Sequence, residues 1–370
     1  MTSLVELPPA PDDAVDLAII GAGVVGCAVA SAAARRGLEV LLLEREERAG
    51  AGVTSRNSGV IHSGLYYPPG SLKAQSCIRG QALLYEWVTA RTVPHARTGK
   101  LVVATVAAGA PALERLYQNA LASGARGCVM LGAAEVATRE PDLPPVAAAM
   151  LCRESGIVDA HAFTASLLAD ACAHEAVFAA QATVRGLEVD DGFTLVTDRG
   201  PLRARAVVNA AGLESDRIAA LVGVDGFTIY PCRGDYFRLR TARPFRHLIY
   251  PVRVPGDPGL GIHLTLELDG GQRLGPDAEY VAARDDFGPA EHKHARFLEA
   301  AQRLLGPLDP AQLRYDGCGI RPKLRPPEEA EERDFVLLER PARCVHLLGI
   351  ESPGLTAALD LAERVVARLG

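Results

Sequence analysis

Residues 16–26 read DLAIIGAGVVG, an apolar run closed by three glycines, and no other stretch says as much about the fold. Asp16 to Ile20 is short and apolar, as suits a parallel strand buried on both faces. The glycines follow at once, and VVGCAVASAAARR then runs on as a helix that Gly37 ends. In such a strand-turn-helix unit Gly21 permits the tight turn, Gly23 lets the backbone approach a pyrophosphate, and Gly26 lets helix and strand pack closely. Free N–H groups at the helix start then face the phosphates. The next strand, EVLLLE, ends in Glu44, eighteen residues past Gly26. That is near the ~20 expected for the acid that accepts hydrogen bonds from the adenosine ribose. An acid here disfavours a 2′-phosphate, so NADP is not expected; the fingerprint by itself leaves NAD and FAD open.

Composition sets the surroundings. At 370 residues the chain exceeds the size at which one core stops growing, so two structural units are expected. A net charge of −6 gives no basic field for phosphate backbones, so no nucleic-acid partner is expected and small anions must be held by a few placed cations. No apolar run approaches the roughly 20 residues of a transmembrane segment. The start, MTSLVELPPAPDDAVD, lacks the basic and apolar regions of a signal peptide. The protein is therefore expected to be soluble and cytoplasmic, with a peripheral place at the inner membrane face as the alternative. Eight cysteines are scattered without a Cys-x-x-Cys pair, so no metal site is expected and most read as small buried hydrophobes.

Two later pieces favour FAD. AVVNAAG (206–212) is a second apolar strand ending in small residues, which suits close approach of a cofactor. CVHLLGIESPGLTAALDLAERVVARL (344–369) reads as strand, Gly349 turn, then a helix with Ser352 as N-cap and Pro353 in the first helical position. Such a helix aims the N–H groups of Gly354, Leu355 and Thr356 at a ligand above the sheet. A reduced flavin, negative near N1 and its C2 carbonyl, is stabilised by a helix start.

With these pieces in place the chain resembles the FAD-dependent oxidoreductases of the D-amino-acid oxidase/glycine oxidase type. Within that family it is most similar to the L-2-hydroxyglutarate oxidases and dehydrogenases. The resemblance runs from DLAIIGAGVVG through SRNSGVIHSGLYYPPGSLKA and RGQALLYE to GLGIHLTLELDGGQRLGP, GIRPKL and HLLGIESPGLT. One departure is RPPEEAEER, between GIRPKL and DFVLL, which leaves the second acid-binding contact unassigned. The resemblance implies FAD held by Gly21, Gly23, Gly26, Glu44 and Arg45, with Val184, Ala211 and Gly212 along it. It places Thr54, Ser55, Asn57 and Ser58 beside the pyrophosphate and the ring, and Ile61 and His62 at the isoalloxazine. Arg321 and the helix start Ser352, Gly354, Leu355 and Thr356 complete the cofactor set.

Strands alternating with helices, then hairpin-like pieces such as LEVDDGFTLVT, predict an α/β chain. Its Rossmann-like FAD-binding domain (1–88, 151–222 and 314–370) is interleaved with an α+β substrate domain (89–150 and 223–313) on a largely antiparallel sheet. The flavin's reactive face is expected at their junction.

Oxidising an alcohol to a ketone needs a base for the hydroxyl proton, and histidine is the side chain most easily tuned for it. Of nine histidines, His292 and His294 sit in a charged EHKH segment that reads as a solvated helix face. His161 and His174 fall on an amphipathic helix. His62 (VIHSG) and His263 (LGIHLT) are the candidates, with His62 open as base, flavin hydrogen-bond partner or covalent anchor. Arg321 in GIRPKL matches the family's carboxylate-binding arginine, whose planar fork suits a carboxylate. Tyr236 (in RGDYF), Lys323 and Arg56 are expected to line the site. The implied reaction is FAD-dependent oxidation of a 2-hydroxy acid, L-2-hydroxyglutarate or a close analogue, to the 2-keto acid by hydride transfer to flavin N5. The electron acceptor would be oxygen, a quinone or an electron-transfer protein. The alternatives are a glycine or D-amino-acid type of amine oxidase, which NSGVIHSGLYY argues against, a pyridine-nucleotide dehydrogenase, or a flavin-binding protein without turnover.

Overall fold

The computed structural model describes residues 14–253 and 261–369, so most of the proline-rich start and Gly259 and Leu260 of the GLGIHLT motif lie outside the described residues. The strand Val15–Ile20 has parallel partners on both sides, Val40–Leu43 and Gly200–Asn209. The helix Val24–Ala34 follows, and its small side chains let it sit buried between the helices Ala160–Ala173 and Gly354–Leu369. Gly21 takes a left-handed φ of +99°, and a Cβ on Gly26 would stand 1.9 Å from the Gly21 carbonyl oxygen. Gly26→Ala must therefore push helix and strand apart, and overpacking of this kind costs about 1–3 kcal/mol. We expect a lower melting temperature and less FAD per chain in the purified variant, measured by thermal unfolding and flavin absorbance.

This first sheet runs in the order Val184–Val189, Phe193–Thr197, Gly200–Asn209, Val15–Ile20, Val40–Leu43 and Val177–Ala179, with Cys344–Leu348 also paired to Gly200–Asn209. The hairpin in LEVDDGFTLVT forms, with Leu187 opposite Leu195, and it extends the edge of this sheet rather than the second one.

Among the described residues the second sheet has nine strands, mostly antiparallel, including Lys100–Ala104, Ala148–Cys152, Tyr230–Leu239, Leu248–Pro251 and Leu313–Lys323. The helix His294–Leu305 covers it, with Phe297 packed on Phe237 at 4.5 Å between ring centroids. Two strands bear on the division expected from sequence. Leu313–Lys323, assigned with the cofactor-binding part from residue 314, pairs along its length with Tyr230–Leu239, from Leu313 opposite Leu239 to Lys323 opposite Tyr230. Ala148–Cys152 likewise straddles the expected boundary at 151.

The EHKH segment is also not uniformly solvated. His292 is exposed, but Lys293 is buried, its Nζ reaching Asp235 at 2.6 Å, Asp277 at 3.0 Å and Glu279 at 2.6 Å. Arg233 joins Asp235 at 2.7 Å, so the charges of this segment tie the covering helix to the sheet. His161 and His174 lie on and at the end of Ala160–Ala173, both exposed.

Candidate active site

A cavity of about 1150 Å³ opens from the glycine turn and runs to the second sheet. At its first end the turn is fixed by side chains from elsewhere. Thr54 Oγ1 accepts the Val24 N–H at 3.0 Å, and the Glu44 carboxylate accepts the N–H groups of Ala22 at 2.8 Å and Glu46 at 3.1 Å. A Cβ on Gly21 would stand 2.6 Å from the Ala210 carbonyl oxygen. A backbone bare of side chains, beside an anchored carboxylate, fits the pyrophosphate and ribose of a dinucleotide. Arg45, Val184, Ala211 and Gly212 also line the cavity.

Beyond the turn runs the loop after Val53–Arg56. Asn57 donates to the Thr54 carbonyl at 2.6 Å and accepts the Gly59 N–H at 2.7 Å, which holds the loop in shape. Ser58 Oγ meets Tyr236 Oη at 3.1 Å across the cavity wall. Two expected cofactor contacts point elsewhere. Ser55 donates into its own turn, to the carbonyls of Ala51 and Gly52, both at 2.8 Å. Ile61 is fully buried in the core beneath the glycine helix, and Val60 lines the cavity in its place, because neighbours along a strand face opposite ways.

The C-terminal helix starts later than its sequence suggests. It spans Gly354–Leu369, and the Ala357 N–H donates to the Pro353 carbonyl at 2.9 Å, so Pro353 rather than Ser352 closes the first turn. The Gly354 N–H is taken by the Glu351 carbonyl at 2.5 Å, which leaves the N–H groups of Leu355 and Thr356 as the open donors of this end. Ser352 is thereby left to bond across the cavity, where its Oγ lies 3.2 Å from His62 Nε2. Thr356 does not line the cavity; its buried Oγ1 accepts the His62 N–H at 3.0 Å.

His62 is thus clamped on both sides, since its carbonyl accepts from Gln81 Nε2 at 2.8 Å. Its Nδ1 is buried and has no hydrogen-bond partner among the described residues. Burial, then the charge of Lys100, then His263, holds its pKa well below the ordinary histidine value. His263 stacks on Tyr250 with 3.7 Å between centroids, and its Nδ1 faces the Gly261 carbonyl at 2.8 Å. Burial pushes its pKa down to about 3, against the Gly261 bond and with help from Lys100, Arg253 and Arg321. Both imidazoles are neutral at physiological pH.

Arg321 enters the same cavity from Leu313–Lys323. Gly234 makes room for it, since a Cβ there would stand 2.7 Å from Nη2. The guanidinium donates to the Asp277 carbonyl at 3.1 Å and meets Cys232 Sγ at 3.9 Å, and no carboxylate of the described residues pairs with it. Lys323 differs: its Nζ is held by Glu332 at 2.8 Å and Glu351 at 3.2 Å. Glu332 belongs to RPPEEAEER, so the departing segment closes over the cavity rim. Arg56 lies over the Phe287 ring at 3.9 Å. Tyr66, Tyr67, Tyr250 and Arg253 also line the cavity and were not singled out from sequence. The two adjacent tyrosines stood inside the GLYYPPG motif; Tyr250 and Arg253 sit in RHLIYPVRV, which carries no signal beyond a strand.

By fold, and by a cavity that leads from the glycine turn and the Glu44 carboxylate to the imidazoles of His62 and His263, the protein is a dinucleotide-dependent oxidoreductase. Comparison with known proteins narrows this. Residues 16–368 match the DAO family, FAD dependent oxidoreductase, and the chain belongs to that family; its cofactor is FAD. A relative from Arabidopsis thaliana, the mitochondrial L-2-hydroxyglutarate dehydrogenase, is 35% identical over 95% of this chain and 82% of its own length. The L-2-hydroxyglutarate dehydrogenase of Escherichia coli K12 is 28% identical over 96% of this chain and 93% of its own. Among solved structures, the L-alpha-glycerophosphate oxidase of Mycoplasma pneumoniae with FAD bound superimposes with a TM-score of 0.87 at 24% identity, covering 96% of this chain and 94% of its own. Glycine oxidase from Geobacillus kaustophilus gives 0.82 at 22% identity, covering 96% and 95%. These two likenesses speak for the fold. No helix among the described residues is long and apolar enough to cross a membrane.

Proposed function

We propose that the protein oxidises a 2-hydroxy acid, L-2-hydroxyglutarate or a close analogue, to the 2-keto acid. The observation that carries this reading is Arg321: a guanidinium without a carboxylate partner among the described residues, facing the cavity that also holds the neutral imidazole of His62, whose Nε2 meets Ser352 Oγ. A substrate carboxylate supplies the missing partner of Arg321, with the charge-assisted geometry that arginine favours. The His62 imidazole takes the hydroxyl proton at Nε2, the nitrogen beside Ser352 Oγ, while Thr356 at the backbone keeps the residue in place. Bound FAD supplies the two-electron acceptor for the hydride that leaves C2. Tyr236, bonded to Ser58, and the His263–Tyr250 stack wall the reacting region from water. Arg253, beside Gly261 in the same cavity, is the placed cation for a second carboxylate. The relatives named L-2-hydroxyglutarate dehydrogenase support the choice of acid over an amine. The free cysteines suit a reducing compartment, in line with a cytoplasmic place.

The test is anaerobic mixing of the FAD-loaded protein with L- and D-2-hydroxyglutarate, lactate, glycerol 3-phosphate, glycine and D-proline. Bleaching by L-2-hydroxyglutarate first is expected; bleaching by glycine or D-proline instead would make the protein an amine oxidase.

Acid pH separates two effects. With the imidazole pKa values depressed in the folded state, the base stays unprotonated below the ordinary value of about 6.5. The reduction rate should therefore hold level from about pH 8 to 6, on either side of that value. Stability behaves differently: below about 6.5 the unfolded chain binds protons that the folded chain refuses, so stability falls as pH drops. Stopped-flow reduction and thermal melts across roughly pH 5–8, the range in which histidine titrates, check both.

A further inference from the structure

Three reactive side chains stand in one row across the second sheet, and none has a part in the reaction proposed above. Cys128 opens the edge strand Cys128–Leu131 and lies directly opposite Cys152 of Ala148–Cys152. On its other side Cys152 is opposite Lys100 of Lys100–Ala104. Residues directly opposite one another share a face of the sheet, so the two thiols and the ammonium are neighbours. The Arg153 N–H donates to the Gly127 carbonyl at 3.0 Å, which makes the next pair, Cys128 with Cys152, one without backbone bonds between its members. In such a pair the Cα atoms stand about 4.5 Å apart, within the roughly 4.4–6.8 Å that a disulfide spans. The two sulfurs can therefore join without a shift of either strand. No other two cysteines of the described residues lie opposite each other on paired strands.

Both cysteines are free. Cys152 is fully buried, whereas Cys128 is 8% exposed beneath the exposed turn Arg126–Gly127, so a small oxidant meets Cys128 first. Lys100 is fully buried, and its Nζ has no hydrogen-bond partner among the described residues. It has only aromatic faces, with the Tyr250 centroid at 4.2 Å and that of Tyr66 at 5.6 Å. An unpaired cation beside thiols favours the thiolate, which is the reactive form. The Cys152 thiol holds the Cys128 pKa below its ordinary value, against burial and with help from Lys100.

We propose that Cys128 and Cys152 are a modification site, a thiol pair that hydrogen peroxide converts to a cross-strand disulfide and that an external thiol restores. The Cys128 thiolate attacks one peroxide oxygen and the O–O bond breaks. Cys128 becomes a sulfenic acid, and the departing oxygen takes up the proton that the thiol had shed and leaves as water. Cys152 Sγ then attacks Cys128 Sγ: the S–S bond forms, the S–O bond breaks, and a second water leaves with the Cys152 proton. Two electrons pass from sulfur to peroxide, so two thiols and one peroxide give one disulfide and two waters. Closure by Cys152 also spares Cys128 from oxidation beyond the sulfenic state. None of this depends on which acid the flavin oxidises.

The test treats the unaltered FAD-loaded protein with hydrogen peroxide, quenches it, unfolds it in an alkylating reagent and maps its peptides by mass spectrometry. The expected product is a pair of peptides joined through Cys128 and Cys152, lighter by two hydrogens than the separate peptides and parted again by dithiothreitol. In Cys152→Ser the link should be lost, and Cys128 should instead gain oxygen that dithiothreitol does not remove once peroxide is in excess. Cys128 and Cys152 that both stay reduced while the exposed Cys172 is oxidised would overturn the proposal. So would oxygen on each of the two without a link, or a link that forms no faster than in protein unfolded before the peroxide is added.

Discussion

His62→Ala is expected to slow anaerobic reduction of the bound flavin by about 10²–10⁴, the range that a positioned general base contributes. Flavin should stay bound, because the glycine turn, Glu44 and Thr54 are set by bonds that do not involve His62. The loss would come from the chemical step: without the His62 imidazole the hydroxyl proton lacks its proposed acceptor, in a cavity whose other imidazole is turned to the Gly261 carbonyl and stacked on Tyr250. Substrate binding should change little, since the carboxylate contacts lie on other elements. Stopped-flow reduction with saturating acid measures the effect. Near-normal reduction would return His62 to the status of a loop histidine and move the base to His263.

The second large effect is Arg321→Met. Removing one partner of a buried, hydrogen-bonded charge pair costs about 2–5 kcal/mol. At about 1.4 kcal/mol for each factor of ten, kcat/KM should fall roughly 30- to 4000-fold, mostly through KM. The fold gives a control. Arg321 has no carboxylate partner among the described residues, so its removal strands no buried anion and the melting temperature should hold. A variant that melts normally and binds substrate normally would remove Arg321 from carboxylate recognition.

What the sequence disclosed followed the range of the interactions involved. The unit around Gly21, Gly23, Gly26 and Glu44 was legible because strand, turn, helix and acid lie within about thirty residues, and local spacing specifies their geometry. The strand Leu313–Lys323 was legible as a strand but not as part of the second sheet. Its partner, Tyr230–Leu239, is some eighty residues away, and antiparallel register at that distance leaves no local mark. Charge also misled: EHKH reads as a wet surface, yet Lys293 is drawn inward by Asp235 and Asp277, each from another segment. Ser352 was placed as a helix cap by its type and by Pro353; three-dimensional proximity to His62, 290 positions earlier, gives it a different partner. Lys100 was invisible for the same reason, since a lysine in GKLVVA reads as a strand end until the tyrosines beside it are seen.

The central claim, that a hydride leaves C2 of a 2-hydroxy acid held by Arg321 beside His62, is tested most directly by one anaerobic single-turnover measurement. The FAD-loaded protein is mixed with L-2-hydroxyglutarate carrying either protium or deuterium at C2. The flavin should bleach completely with one equivalent of 2-ketoglutarate formed, and more slowly with the deuterated acid. Flavin that stays oxidised with both forms would contradict the account.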